Sequence, residues 1–135
     1  MEAWRNIRND HVVRVTYHDT DQMGVVYYAN YLVWFEIGRT ELLRQTGSSY
    51  RAFEQRGFIL PVIRCVCDYK RPARYDDLIR ISTCISSLSR ASISFQYRIF
   101  HHESNELLAE GETRHALTDR KGRLIRNGQV LGNLF

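Results

Sequence analysis

Two acids and a glycine open the chemistry of this chain. "DTDQMG" (19–24) holds Asp19, Asp21 and Gly24, and "VVYY" (25–28) leads from it into a run with helical spacing. Gly24 can take backbone angles that other residues avoid, so it suits a tight turn. The first amides of a helix have no internal acceptor, and the aligned peptide dipoles add about half a positive charge there. Such a helix mouth is a ready anion site. A carboxylate just upstream of it suits hydrolysis of an activated acyl group, with the amides holding the oxyanion. The same acids also suit plain capping of the turn and helix. Spacing alone leaves both readings open.

The elements that must position these residues follow from hydrophobic periodicity. Residues 11–18, "HVVRVTYH", read as a strand with Val13, Val15 and Tyr17 on one face. Residues 29–46 read as a helix with Tyr31, Trp34, Phe35, Gly38 and Leu42 on one stripe, ended by Gly47. Gly38 in mid-helix costs about 1 kcal/mol relative to alanine, which implies that something packs closely against it. A short helical turn is expected around 49–56.

Beyond it the period changes to two. "FILPVIRCVCDYK" (58–70) sets Ile63, Cys65, Cys67 and Tyr69 together. Ile79, Ile81, Thr83 and Ile85 share a face, as do Ile93, Phe95, Tyr97 and Ile99. Leu107, Ala109, Gly111, Thr113 and Leu117 make a further set, and "RPARYDD" and "HHESNE" are turns. Short links favour antiparallel neighbours. The expected class is therefore α+β: a five-stranded antiparallel sheet wrapped around one long helix, with residues 1–135 as one domain. Arg64, Asp68, Arg80, Ser82, Ser94, Gln96, Arg98, Glu110 and Glu112 fall on the opposite, polar face, which suits contact with another subunit.

Composition narrows the function classes. The net charge of +4 comes almost wholly from scattered arginines, the lysines being Lys70 and Lys121, so no nucleic-acid partner is expected. Arginine suits a phosphate-bearing small molecule. No apolar run approaches the roughly 18 residues of a membrane span. "MEAWRNIRNDH" (1–11) lacks a signal-peptide core, so a cytoplasmic protein is expected. Cys65, Cys67 and Cys84 read as small hydrophobes in a reducing compartment, and no metal or phosphate-loop motif occurs. There is no G-x-S-x-G elbow. His18 stands beside the acids, His101 and His102 sit in a turn, and His115 reads as structural. Glu36 and Glu41 lie on the long helix.

Two stretches carry a family resemblance. "DTDQMGVVYYANYLVWFEIGRTELLR" (19–44) and "DYKRPARYDDLIRISTCI" (68–85) resemble the hotdog-fold acyl-CoA thioesterases of the 4-hydroxybenzoyl-CoA type, a group that includes the Tol-Pal-associated bacterial thioesterases. The resemblance spans about residues 12–120 and implies a hotdog fold. It implies that Asp21 is the catalytic carboxylate and that the Tyr28 amide polarises the thioester carbonyl. Val25, Val26 and Tyr27 would line the acyl entrance. Arg90, with Ser92 as a weaker candidate, would meet the CoA phosphates; Lys70 and Arg71 could help. Ala29 stands where many Tol-Pal-associated members have histidine, and "YYANY" (27–31) is nearer the aryl-CoA branch.

The expected reaction is hydrolysis of an acyl- or aryl-CoA thioester to acid and CoA, with Asp21 as nucleophile or base. No metal or cofactor is expected beyond the CoA of the substrate. A homodimer or homotetramer is expected, with the site between subunits. Two rivals are a non-catalytic acyl-CoA-binding module and a hotdog dehydratase or hydratase. The second would pair a histidine with an acid on the central helix, and residues 29–43 contain no histidine.

Overall fold

A computed structural model describes residues 3–135; Met1 and Glu2, the start of the stretch read as lacking a signal core, lie outside it. Five strands form one antiparallel sheet: β1 (Arg8–Arg14), β2 (Val62–Tyr69), β3 (Leu78–Leu88), β4 (Ser92–His101) and β5 (Leu107–Ala116). Their spatial order is β1-β3-β4-β5-β2. The long helix α1 (Asn30–Gln45) packs on β1, β3 and β4. Two shorter helices follow, α2 (Tyr50–Gln55) and α3 (Gly128–Gly132). This is the sheet on one long helix that the period change along the chain implies, and the hotdog fold that the family resemblance implies.

The helix docks through the expected stripe. Tyr31, Trp34, Phe35, Gly38 and Leu42 are buried, joined by Leu43. Gly38 lies so close to β3 that a Cβ there would stand 2.3 Å from Thr83 Oγ1 and 2.9 Å from Ile81 Cγ2. Gly111 plays the same part on β5, where a Cβ would stand 2.2 Å from the Val66 carbonyl oxygen and 2.7 Å from the Phe35 ring. The Phe35 ring stacks on Tyr97, centroids 4.3 Å apart. Apolar burial along this seam supplies the main stabilising term, at about 25 cal/mol per Å². Gly47, with φ +87°, closes the helix as expected.

Three local expectations are corrected. The first strand ends at Arg14 and not at residue 18, because Asp19 draws the chain into a short 3-10 turn over Tyr17–Asp19. Its Oδ2 accepts from the Thr16 amide at 2.8 Å and from Thr16 Oγ1 at 3.0 Å, leaving Tyr17 exposed. β2 is only partly covered on its apolar face: it is an edge strand on which Ile63, Cys65 and Tyr69 are exposed, while Cys67 packs on the core and the Tyr69 ring meets Tyr31 of α1 at 5.0 Å between centroids. Ser94, expected on the polar face, is buried. It pairs with Ser87 beside the irregularity between Ile85 and Ser87, where the period-two alternation breaks.

Candidate active site

The loop 19–28 is tied from both sides. The Asp21 amide donates to the Val25 carbonyl at 2.9 Å, and the Gly24 amide donates to the Asp21 carbonyl at 3.0 Å, with Gly24 at φ +77°. The Val26 amide donates to the Ala73 carbonyl, and Val25 bridges Arg74. The Tyr27 amide and the Asn30 Nδ2 both donate to the Asp19 carbonyl, at 2.9 and 2.8 Å. Both sets of bonds fix the route from the turn into α1.

Neither acid caps α1. Asp19 holds its own 3-10 turn. Asp21 Oδ1 accepts from the Met23 amide at 2.8 Å, an Asx-type turn, while Oδ2 has no partner among the described residues. The helix start carries no side-chain cap. Asn30 and Tyr31 donate back to the Tyr27 and Tyr28 carbonyls, but the amides of Tyr28 and Ala29 meet no acceptor among the described residues. Tyr28 is 63% exposed, so these donors lie at the surface. One Asp21 carboxylate oxygen, and two amides at the positive end of a 16-residue helix, are thus left without partners among the described residues. Such a pair can polarise a carbonyl and deliver a nucleophile or base to it.

The surroundings are aromatic. The Tyr27 and Tyr28 rings lie 4.7 Å apart. The Tyr27 phenol is raised above its usual pKa, first by its hydrogen bond to Tyr28, then by the Tyr28 charge, by desolvation and by the nearby Asp21 carboxylate. It is therefore a neutral donor at pH 7. The Tyr69 hydroxyl donates to the Tyr28 carbonyl at 2.9 Å, and its own pKa is raised by burial first and by Cys67 next. Periodicity could not assign Tyr69 or Asn30 to the site, because each acts through a backbone atom 41 or 11 residues away.

Of the residues singled out in the sequence, Asp21, Val25, Tyr27 and Tyr28 come together. Val26 is adjacent in the chain, but its side chain is buried in the core. Arg90 and Ser92 are not near this mouth. They sit at the β3–β4 turn, where Ser92 Oγ meets Ser89 Oγ at 2.7 Å and Arg90 reaches the Arg126 carbonyl. The mouth lies at the Leu78 end of β3 and Arg90 beyond its Leu88 end, about 33 Å away at 3.3 Å per residue. Lys70, Arg71 and Arg74 are at the mouth end; Arg71 is 4.0 Å from Glu106. Exposed His18 makes no bond among the described residues.

A second concavity lies at the far end of α1. It has a volume of about 470 Å³, with Leu60, Phe95 and His115 among its lining. His115 is 2% exposed. Its Nδ1 lies 3.0 Å from the Leu60 carbonyl and its Nε2 2.8 Å from Thr113 Oγ1, which in turn meets the Tyr97 hydroxyl at 2.6 Å. Burial first, partly countered by the Leu60 bond, lowers its pKa to about 4, so the ring is neutral at pH 7. The structural role expected for His115 agrees with this closed network. No group of three His, Cys, Asp or Glu among the described residues is arranged to hold a metal, and no helix is long and apolar enough to cross a membrane.

The fold is that of a recognisable class, the hotdog thioesterases. Residues 15–129 match the thioesterase-like superfamily, and the chain is a member of it. It is 42% identical over 100 residues to the acyl-CoA thioester hydrolase YbgC of Escherichia coli, covering 74% of each chain. The DHNA-CoA thioesterase structure from Staphylococcus aureus superposes with a TM-score of 0.85 at 31% identity, over 88% of this chain and 80% of that one. A variant of 4-hydroxybenzoyl-CoA thioesterase in complex with 4-hydroxybenzoyl-CoA shares the fold, at TM-score 0.82 and 20% identity over 95% and 98% of the two chains.

Proposed function

We propose that this protein hydrolyses acyl-CoA thioesters at the mouth of α1. The observation that carries the reading is that, along one short loop, the Tyr28 and Ala29 amides and one oxygen of Asp21 all lack partners among the described residues. The thioester carbonyl oxygen accepts from the Tyr28 amide, which holds the negative charge that develops on attack; losing such a donor slows a reaction by about 10²–10³-fold. Asp21 Oδ2 then acts in one of two ways. It attacks the carbonyl carbon, CoA leaves as thiolate, and water cleaves the resulting anhydride. Or it takes a proton from a water that attacks directly. Both routes give acid and thiol from thioester and water, and neither requires a cofactor beyond the CoA of the substrate.

Tyr27 and Tyr28 are exposed at this mouth, and a second copy of the chain is the proposed source of walls for the acyl group. β2 is an exposed outer strand with free backbone donors and acceptors. Within the chain, β2 and β5 set Arg64 opposite Arg114 and Asp68 opposite Glu110, both like-charge pairs. A twofold axis through Val66, pairing β2 with its copy antiparallel, places Arg64 against the partner's Asp68, and Asp68 against the partner's Arg64. It also sets Tyr69, at the mouth, against the partner's Ile63. The partner's sheet end carrying Arg90 and Ser92 then lies on the same side as the mouth, where those residues can meet the CoA phosphates. A tetramer would join two such dimers through the polar sheet faces.

Thiol release measured across benzoyl-, hydroxybenzoyl-, short- and long-chain acyl-CoAs tests the reading, with Asp21→Asn in parallel. Turnover by the wild type and its loss in the variant, with binding kept, support hydrolysis. Binding by both without thiol release by either identifies an acyl-CoA-binding module and overturns it. A single turnover in H₂¹⁸O separates the routes, since only the nucleophilic one can leave label in Asp21.

A further inference from the structure

The concavity at the C-terminal half of α1 has a feature that its structural role does not use. Arg39 lies over β4 and β5 from α1, half-buried, and its charge acts on both the Tyr97 hydroxyl and the His115 ring. It has no carboxylate within 4.0 Å among the described residues. The neighbouring Arg44 is paired with Glu41, so it is already neutralised. Glu36, one turn closer to the helix start, and Glu54 on α2 also line the space, but both are exposed at its rim. The floor is apolar or neutral: Leu60, Phe95 and His115. A half-buried cation without a counter-charge, above an apolar floor, favours an anion that enters from outside.

On its own chain Arg39 stands nine residues along α1 from Asn30, about 14 Å from the mouth. The twofold axis through Val66 changes that relation. Val62 pairs with His115, so this concavity flanks the Val62 end of β2, whereas Tyr69 at the other end is bonded to Tyr28. Reversing one copy turns the concavity of each chain toward the mouth of the other, and since its floor lies on β5 and β4 the two are two to three strand spacings apart, roughly 10–15 Å. Residue parity is kept, 63 against 69 and 65 against 67, so mouth and concavity open on the same sheet face.

We infer that the partner's Arg39 concavity is the acyl subsite of the proposed thioesterase and that it selects acyl groups ending in a carboxylate. The inference rests on the proposed hydrolysis and dimer. The guanidinium receives the terminal carboxylate in a two-pronged pair, which a neutral alkyl end cannot reproduce. The aliphatic spacer lies over Leu60 and Phe95. The reacting thioester meanwhile reaches the Tyr28 amide and Asp21 of the facing chain.

The test compares kcat/KM for succinyl-, glutaryl- and adipyl-CoA with that for butyryl-, valeryl- and hexanoyl-CoA, matched in carbon number, using the full-length protein. The wild type is expected to favour at least one acid-ended substrate by tenfold or more over its neutral match. Arg39→Met is expected to lower that ratio at least tenfold, and Arg39→Lys to restore part of it. If Arg39→Met does not fold, free adipate as a competitive inhibitor of the wild type replaces it, expected to inhibit at least tenfold more strongly than free hexanoate. Turnover of neutral acyl-CoAs with no acid preference, or a ratio unmoved in Arg39→Met, overturns the subsite and leaves hydrolysis standing. Absence of thiol release from every substrate overturns hydrolysis itself.

Discussion

Replacing Asp21 by asparagine removes a charge and leaves the turn in place. The bond from the Met23 amide to Oδ1 survives, because the asparagine amide oxygen accepts at the same point. What changes is a charged acceptor becoming a neutral one, a difference of about 1 kcal/mol. In a chain of this size that lowers Tm by roughly 3–5 °C. Catalysis loses far more. An amide oxygen neither attacks a thioester competently nor takes a proton from water at pH 7, so kcat should fall by about 10²–10⁴-fold, with KM little changed. The assay is thiol release, with circular dichroism melting and calorimetric binding of a non-hydrolysable acyl-CoA thioether as controls. A folded variant that binds normally and keeps more than a tenth of wild-type kcat would refute the assignment. A variant that loses binding and activity together would show that Asp21 serves to shape the turn it closes on the Met23 amide.

Gly111→Ala places a methyl 2.2 Å from the Val66 carbonyl oxygen, so it should lower the urea unfolding free energy by about 1–3 kcal/mol and loosen β2; Gly38→Ala, 2.3 Å from Thr83 Oγ1, should cost a similar amount. His115 is neutral in the fold down to about pH 4 but titrates near 6.5 when unfolded. Below pH 6.5 the unfolded chain binds the extra proton, so stability should fall by up to roughly 3 kcal/mol between pH 6.5 and 4, and His115→Gln should flatten that slope in urea titrations. Asp119 is held low by the Arg123 and Lys121 amides, so its contribution is lost only below the ordinary carboxylate range and does not confuse that window. Arg64→Asp or Asp68→Arg alone should weaken the dimer in sedimentation equilibrium, and the double exchange should restore it; equal masses for all three variants would remove the Val66 axis.

The sheet and helix were legible because their burial is periodic. The Tyr31–Leu42 stripe and the alternation through Ile79–Ile85 and Ile93–Ile99 both report one-sided burial, and one-sided burial is what a helix on a sheet requires. The failures have the same root. β2 alternates as an inner strand would, yet it stands at the sheet edge, since alternation records which way side chains point and not which strands lie on either side. The end of β1 was misplaced because the Thr16–Asp19 bonds are local polar chemistry that hydropathy does not see. The α3 turn, closed by Asn127 on the Gln129 amide and burying Leu131, is too short to set up a period. At the site, the aspartate and glycine were visible as residue types, whereas the free state of the Tyr28 amide depends on what the neighbouring carbonyls accept. That is a property of the assembled loop.

The uncapped start of α1 is the point where stability and chemistry oppose each other. A side-chain acceptor at a helix start typically adds about 1 kcal/mol, and this chain has two aspartates within reach in sequence. Both are turned elsewhere: Asp19 to Thr16 and Asp21 to Met23. Their separate bonds leave the Tyr28 and Ala29 amides open and leave one Asp21 oxygen unbonded. A cap would satisfy the same donors that a thioester oxygen needs, so the two uses exclude each other. Under the proposed hydrolysis, the loop bonds that keep the Asp19 and Asp21 carboxylates from bonding those amides serve the chemistry by leaving the donors to the substrate. Thr16→Val, which removes the hydroxyl bond to Asp19 while keeping the amide bond, should impair turnover by a smaller factor than Asp21→Asn, through kcat more than KM. Unchanged kcat in a folded Thr16→Val protein would show that the amide bond alone sets the loop.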